Sequence, residues 1–370
     1  MNGRPEQVRR RKLRKRMAEL GISSLLVTRR ENIRYLTGFT GSAGVVVLSG
    51  TTTHLITDFR YKVQAAREAA GVTIRIQKND WIEAFHELGR RIGMQEVWYD
   101  ESSLTGDTLR KLRAPSLKLM GRGDVVTDLR KRKDQREIQS IRTALRRAER
   151  SFRDLAPSIR PGVTEQDLAL QLEFLMRRKG ARRAAFDIIV ASGGNGAMPH
   201  ASVTNRRLRR GDLVTFDFGA EADGYFCDLT RTLCVGSPDR KQREIHELVQ
   251  RAQQAAIDAI GPGVACSTVD AAARDIIAGA GYGDGFGHGT GHGVGLMVHE
   301  APRLSPMSKD VLEQGMVVTI EPGVYIPGWG GVRIEDMVLV SEQGAKVLSS
   351  LSRGWNVAAP RRTVQTIKKR

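Results

Sequence analysis

The chain has 370 residues, 40% of them hydrophobic and 27% charged, a globular balance that excludes a disordered or fibrous protein and leaves room for about two domains. No apolar run approaches the roughly 20 residues a bilayer-spanning helix needs, so no membrane partner is expected. The net charge of +18 raises nucleic acid as a partner through phosphate attraction, but the cations fall in separate clusters at 9–16, 130–133, 206–210 and 368–370 without zinc-finger or RRM spacing, so no specific nucleic-acid function is expected.

From the N-terminus, the basic run at 9–16 merges into periodic apolar residues, Leu13, Met17, Leu20 and Ile22. This predicts a first helix with its cations on the wet face, not a signal peptide. Short apolar runs at 24–28 (SLLVT), 44–48 (GVVVL) and 54–57 (HLIT) read as strands, and 61–70 and 82–92 have helical spacing with glycine stops. An α/β domain over a mixed sheet, residues 1–130, is the economical reading. Residues 121–133 read as its boundary. A helix over 134–155 follows, with Ile138, Ile141, Leu145, Ala148 and Phe152 on one face, Asp134 and Glu137 spaced as a capping box, and Pro157 ending it.

An internal repeat occupies the rest of a second domain, 131–360. Arg160-Pro161-Gly162-Val163 and Gly261-Pro262-Gly263-Val264 each precede a helical pattern, and LRRGDLVTFDFG (208–219) matches LEQGMVVTIEPG (312–323). Two helix-plus-hairpin halves related by a pseudo-twofold axis are the natural reading. In each, an acid ends an apolar strand at the same place, Asp217 in one and Glu321 in the other. Such a symmetry would bring the two carboxylates face to face.

Asp217 and Asp228 flank a turn whose Asp223-Gly224 pair is a strong hairpin signal. The return strand would set Asp228 beside Asp217. Two acids in apolar surroundings repel and are costly to desolvate, which a bound cation would resolve; a solvated turn capped by Asp217 is the competing reading. Glu335 lies in VRIED ahead of another apolar run, and Arg333 would share its face, so a strand ion pair between those two competes with a ligand role. Three of seven histidines, His288, His292 and His299, fall in or just after a glycine-rich stretch at 286–295, and His200 follows Met198-Pro199. A phosphate loop is rejected there because the Lys-Ser/Thr ending and nucleotide-fold context are missing. His54, His86 and His246 are given no role. The three cysteines, Cys227, Cys234 and Cys266, have no CxxC partner and an odd count, which argues against a disulfide framework and a thiolate site and fits a reducing, cytoplasmic compartment. Four carboxylates with one imidazole suit a pair of hard or borderline divalent ions, manganese, cobalt or zinc, able to activate a shared water.

The strings DFGAEADGYFCDLTRT, HGTGHGVGLMVHE, TIEPGVYIP and GVRIEDMVLV, spread over 137–350, resemble the pita-bread metallopeptidases, the family of Xaa-Pro aminopeptidase, proline dipeptidase, methionine aminopeptidase and creatinase. RYLTGFTGSAG (34–44) and TDFRY (57–61) resemble the creatinase-like N-terminal domain. The resemblance implies an α/β creatinase-like N-terminal domain followed by an α+β pita-bread catalytic domain. It implies a dinuclear centre, manganese ahead of cobalt or zinc, held by Asp217, Asp228, His292, Glu321 and Glu335. Asp228 and Glu335 would bridge both ions, Asp217 would hold one of them through both oxygens, and His292 and Glu321 would hold the other. It makes His200 and His299 catalytic histidines, Glu321 the proton shuttle, and His288 and Arg333 residues of the proline side of the cleft. The implied activity is cleavage of an N-terminal Xaa-Pro bond as an aminopeptidase acting on proline-containing peptides, with Xaa-Pro dipeptidase as the alternative and a non-catalytic binding module third. A homodimer or homotetramer is implied as well. Creatinase is disfavoured because its metal-free chemistry needs no such ligand set. Methionine aminopeptidase is disfavoured because it typically lacks an N-terminal domain of this kind.

Overall fold

The computed structural model describes residues 4–355; the basic cluster at 368–370 and the end of the 131–360 segment lie outside them. The chain divides into two units, Met1–Arg130 and Lys131–Arg370. No helix among the described residues is long and apolar enough to cross a membrane.

The first unit runs α1 (Pro5–Glu19), β1 (Ser24–Val27), α2 (Arg30–Thr37), β2 (Val45–Ser49), β3 (Thr52–Thr57), α3 (Lys62–Glu68), β4 (Thr73–Ile76), α4 (Trp81–Ile92), β5 (Glu96–Asp100), α5 (Gly106–Leu112), β6 (Lys118–Arg122) and α6 (Val125–Arg130). Its six strands lie in the order β4-β3-β2-β1-β5-β6. The β1–β2 and β2–β3 pairs are antiparallel, while β3–β4, β1–β5 and β5–β6 are parallel, so the sheet is mixed. Leu26, Val47, Ile56, Phe85, Leu88 and Val97 form a core between sheet and helix.

Two details depart from the sequence reading. The cations of α1 are not all wet, because Arg9 and Arg10 are buried. Their guanidinium groups donate to Tyr35 O (3.3 Å) and Leu36 O (2.6 Å) in the last turn of α2, where helical carbonyls have no partner within their own helix. Residues 121–133 are not a plain linker either: β6 reaches Arg122 and α6 begins at Val125, with Asp124 accepting from Val126 N and Thr127 N as its cap.

The second unit contains α7 (Gln135–Leu155), α8 (Glu165–Arg178), β7 (Ile189–Ser192), β8 (Leu213–Phe218), the hairpin β9 (Glu221–Ala222) and β10 (Tyr225–Phe226), and β11 (Leu229–Cys234). Then come α9 (Arg240–Asp258), α10 (Cys266–Gly279), β12 (Gly291–Gly293), β13 (Glu300–Leu304), β14 (Val317–Ile320), β15 (Gly323–Ile326), β16 (Gly330–Arg333), β17 (Asp336–Ser341) and β18 (Gly344–Val347). Its larger sheets have the orders β11-β8-β7 and β13-β12-β14-β17-β18, and β9–β10 and β15–β16 form two-stranded sheets.

The sequence repeat is a structural repeat, and its backbone hydrogen bonds show it. Gly162 N donates to Leu208 O (2.9 Å) and Leu208 N to Val163 O (2.9 Å); in the second half Gly263 N donates to Leu312 O and Leu312 N to Val264 O, both at 2.8 Å. The helix opening each half carries a complete capping box, Asp134 with Glu137 on α7 and Asp239 with Gln242 on α9. In the second half, Ile245, Val249 and Ala252 of α9 and Val269 and Ala273 of α10 pack with Val318 and Ile320 of β14 and Val338 and Val340 of β17. This apolar packing fixes the strand ends on which the acids sit.

Candidate metal centre

The first two acids are placed by a local device. Asp223 and Gly224 have positive φ, 52° and 78°, the backbone of a two-residue hairpin turn that favours Asp-Gly. The turn pairs Tyr225 with Ala222, and the chain then returns along β8 with Thr230 opposite Asp217. Glu335 stands between β16 and β17, where its N–H donates to Thr230 O (3.1 Å) and its Oε2 accepts from Thr230 Oγ1 (2.8 Å). Glu321 follows β14 and is tied to the glycine-rich segment by its N–H to Thr290 O (2.8 Å). His292 lies on β12, its own N–H donating to Thr319 Oγ1 (3.0 Å).

These residues converge. Ligand atoms of Asp217, Asp228 and Glu335 lie within 4.8 Å of one another, and so do those of His292, Glu321 and Glu335 and those of Asp228, His292 and His299. All five expected ligands are thus brought together, and His299, expected to act only as a catalytic group, joins the cluster. The tautomer of His292 is fixed by its surroundings. Nδ1 is 3.1 Å from Gly293 O; a carbonyl only accepts, so Nδ1 carries the hydrogen. Nε2 therefore turns a lone pair toward Asp228 Oδ2 (3.6 Å) and Glu321 Oε1 (3.4 Å). Burial lowers the His292 pKa to about 4, so the imidazole is neutral and these contacts are not ion pairs. A lone pair set against two carboxylate oxygens is an arrangement that a bound cation would stabilise.

The carboxylates give the same answer. Asp217 Oδ1, Asp228 Oδ1 and Glu335 Oε1 are buried and have no hydrogen-bond donor, a costly condition for ionised oxygens. Burial, then the neighbouring Asp217 and Glu321 carboxylates, raises Asp228 well above the usual carboxylate range. Glu335 is raised likewise by burial, then by Asp228, Glu321 and Asp217. Burial, opposed by Arg333, lifts Glu321 to about 7. The residues present therefore fit a pair of divalent cations, with a carboxylate-rich donor set free of thiolate. Cys227, Cys234 and Cys266 are free thiols outside it.

Arg333 does not pair with Glu335, the competing reading of the sequence. It is buried and donates to Asp217 Oδ2 (2.7 Å), Tyr325 Oη (2.7 Å), Thr230 Oγ1 (3.1 Å) and Pro199 O (3.1 Å). Strand register is the reason: β16 pairs with β15, setting Gly323 opposite Arg333, and the side chain reaches the first half. A carboxylate oxygen has two acceptor sites, so Oδ2 retains one for a cation. Tyr325, given no role from sequence, is the hub. Its oxygen accepts from Arg333, so its own hydrogen goes to His288 Nε2 (2.9 Å), and His288 Nδ1–H donates to Gly289 O (2.8 Å). His288 is thereby neutral, as burial, which lowers its pKa to about 4, also requires.

His200 and His299 are exposed. The rings of His299 and His292 are 4.3 Å apart, edge to face. Partial desolvation of the ring by its neighbours lowers the His299 pKa, Asp217 opposing. Behind the acids lies a second network that sequence reading missed. Arg231 donates to Asp336 Oδ1 (2.7 Å) and to the carbonyls of Thr230 and Glu335, and Arg353 donates to Asp336 Oδ2 (2.6 Å). Asp336 adjoins Glu335 in sequence, the one signal that pointed to it.

The sequence pattern of metallopeptidase family M24 matches residues 139–342, and that of the creatinase/prolidase N-terminal domain matches residues 9–131. The chain is 39% identical to a Xaa-Pro dipeptidase of Pyrococcus furiosus over 344 residues, 92% of this chain and 97% of that protein. It superposes on a Xaa-Pro dipeptidase from Bacillus anthracis with a TM-score of 0.92 and 40% identity, covering 94% of this chain and 99% of that one. It also superposes on an X-Pro aminopeptidase from Thermotoga maritima with a TM-score of 0.86 and 36% identity, covering 92% and 99%.

Proposed function

The chain belongs to metallopeptidase family M24, and from that premise we propose that it is an Xaa-Pro dipeptidase that hydrolyses the bond before proline in dipeptides. The aminopeptidase reading favoured by the sequence strings yields to its alternative because the Pyrococcus furiosus and Bacillus anthracis proteins carry the dipeptidase name at nearly full coverage. The Thermotoga maritima structure carries the other name on the same fold, which keeps aminopeptidase as the second reading. The single observation that carries a metal-dependent hydrolase is the lone pair of neutral His292 directed at two carboxylates, in a cluster where one buried oxygen each of Asp217, Asp228 and Glu335 has no donor.

Asp217, Asp228, His292, Glu321 and Glu335 would hold two divalent ions, manganese ahead of cobalt or zinc. When bound, such ions supply an acidified water near neutral pH and polarise the scissile carbonyl. Glu321 would take a proton from the attacking water and deliver it to the proline nitrogen. His299 and His200 would hold the carbonyl as it becomes tetrahedral. His288, locked by Tyr325, and Arg333 would face the proline side.

Two results test this. With manganese, cobalt or zinc supplied in turn, a Gly-Pro dipeptide should be cleaved and a Gly-Pro-led tripeptide should not; cleavage of the tripeptide would return the protein to the aminopeptidase reading. His299→Ala should lower kcat by roughly 100-fold or more with metal affinity retained. Because His299 also lies in the cluster, loss of metal in that variant would make it a ligand and not a catalytic histidine.

A further inference from the structure

We propose that Glu165 is a positioning residue for His200, an inference that rests on the reading of His200 as a catalytic histidine. Glu165 is the first residue of α8 and is 0% exposed. A carboxylate so buried is costly unless its lone pairs are filled, and here five donors fill them. Oε1 accepts from Ser192 N (2.7 Å) and Ser192 Oγ (2.6 Å). Oε2 accepts from Asn195 Nδ2 (3.0 Å), Thr204 N (3.0 Å) and Thr204 Oγ1 (2.7 Å).

The three donor residues bracket His200 in sequence, two before it and one after. Between them the chain makes a short 3-10 turn, Gly193–Ala197, and then runs through Met198 and Pro199 to His200. A segment with three glycines in five residues loses much entropy on ordering, so its position must be imposed from outside. Glu165 imposes it on one side. On the other, the segment lies backbone against backbone on β16: a Cβ on Gly331 would fall 2.1 Å from Gly196 O, and one on Gly330 2.9 Å from Gly193 O. Arg333 adds its hydrogen bond to Pro199 O.

The second half has the same device. Asp270 on α10 is fully buried and accepts from Thr290 N (3.0 Å), Thr290 Oγ1 (2.8 Å) and Arg274. Arg274 in turn donates to Phe286 O (2.8 Å) and His288 O (2.7 Å). In each half, the helix after the repeated Pro-Gly-Val turn thus carries a buried acid that grips the next histidine-bearing segment. Asp270 grips one that leads into His292, so its loss would disturb the metal cluster. Glu165 grips one that holds none of the clustered acids, so its effect can be read separately.

The test is a double-mutant cycle on whichever Xaa-Pro peptide the enzyme cleaves, with metal affinity measured in parallel. Glu165→Gln turns an amide donor toward donors and should lower kcat on the order of 10- to 100-fold with metal affinity unchanged. Combined with His200→Ala, it should cause no further loss, since a residue acting only through His200 has nothing left to position. Additive losses, or loss of metal from Glu165→Gln, would overturn the proposal. A fully active His200→Ala would overturn the reading of His200 itself, a distinct outcome. Should Glu165→Gln not fold, Thr204→Val, which removes one donor from the exposed end of the segment and leaves α8 intact, decides by the same cycle.

Discussion

Replacing Glu335 by glutamine or Asp228 by asparagine is expected to abolish metal binding and lower turnover by roughly 1000-fold or more, the several kcal/mol that metal-ion catalysis contributes. Both substitutions keep side-chain volume while removing the charge and one acceptor oxygen, so packing is preserved and the loss reports on the cluster. The metal-free proteins should behave in the opposite sense. Asp228, Glu335 and Glu321 all have folded-state pKa values above their ordinary ones, Glu321 near 7. Such groups bind protons more tightly when folded, so the stability they confer is complete below the ordinary carboxylate range and is lost as pH rises through the raised values. The thermal stability of the chelator-treated wild type should accordingly fall between about pH 5 and about pH 8. Glu335→Gln should flatten that slope, and manganese should restore wild-type stability at the upper end. Near-normal turnover in either variant, or a metal-free protein whose stability rises over that range, would refute the assignment of these acids.

The second large effect is on stability. Asp336 is 0% exposed and faces both Arg231 (1% exposed) and Arg353 (8% exposed). Asp336→Asn leaves two guanidinium groups against one amide whose nitrogen must face a donor. Removing one partner of a buried ion pair costs about 3–5 kcal/mol, and for a unit of this size each kcal/mol moves the melting temperature by roughly 2–4 °C. Chemical denaturation should show that loss whether or not metal is present, because the network lies behind the acids. Arg231 also donates to the carbonyls of Thr230 and Glu335, so a smaller fall in metal affinity should accompany it. A loss below about 1 kcal/mol would mean that the carbonyl hydrogen bonds of Arg231 carry the network without the acid.

Local and periodic information was legible in the chain. The α7 capping box and the Asp-Gly turn are written in residues a few positions apart, and each strand-plus-acid string is contiguous in its own half, at 208–219 and 312–323; the structure has them where the spacing puts them. The acids and histidines that converge stood out because each interrupts an apolar or glycine-rich run, where a charge or an imidazole needs a reason. The face of α1 was misread for a complementary reason. Arg9 and Arg10 look like solvent-facing cations until α2 presents carbonyls that need donors, and those lie 26 residues away.

What the sequence determined by itself was the mixed α/β character of the first unit and the repeat, because propensity and turn chemistry act on neighbours along the chain; desolvation cost singled out the acids as candidates, and the resemblance to the pita-bread metallopeptidases supplied the full ligand set. What only the tertiary structure decided was pairing at long separation. Arg333 chooses Asp217, 116 residues away, over Glu335, two away. Tyr325 fixes the tautomer of His288, and Asp336 joins arginines 105 and 17 residues distant. A buried donor takes the acceptor that folding brings within 3 Å, and no one-dimensional pattern records which one that is.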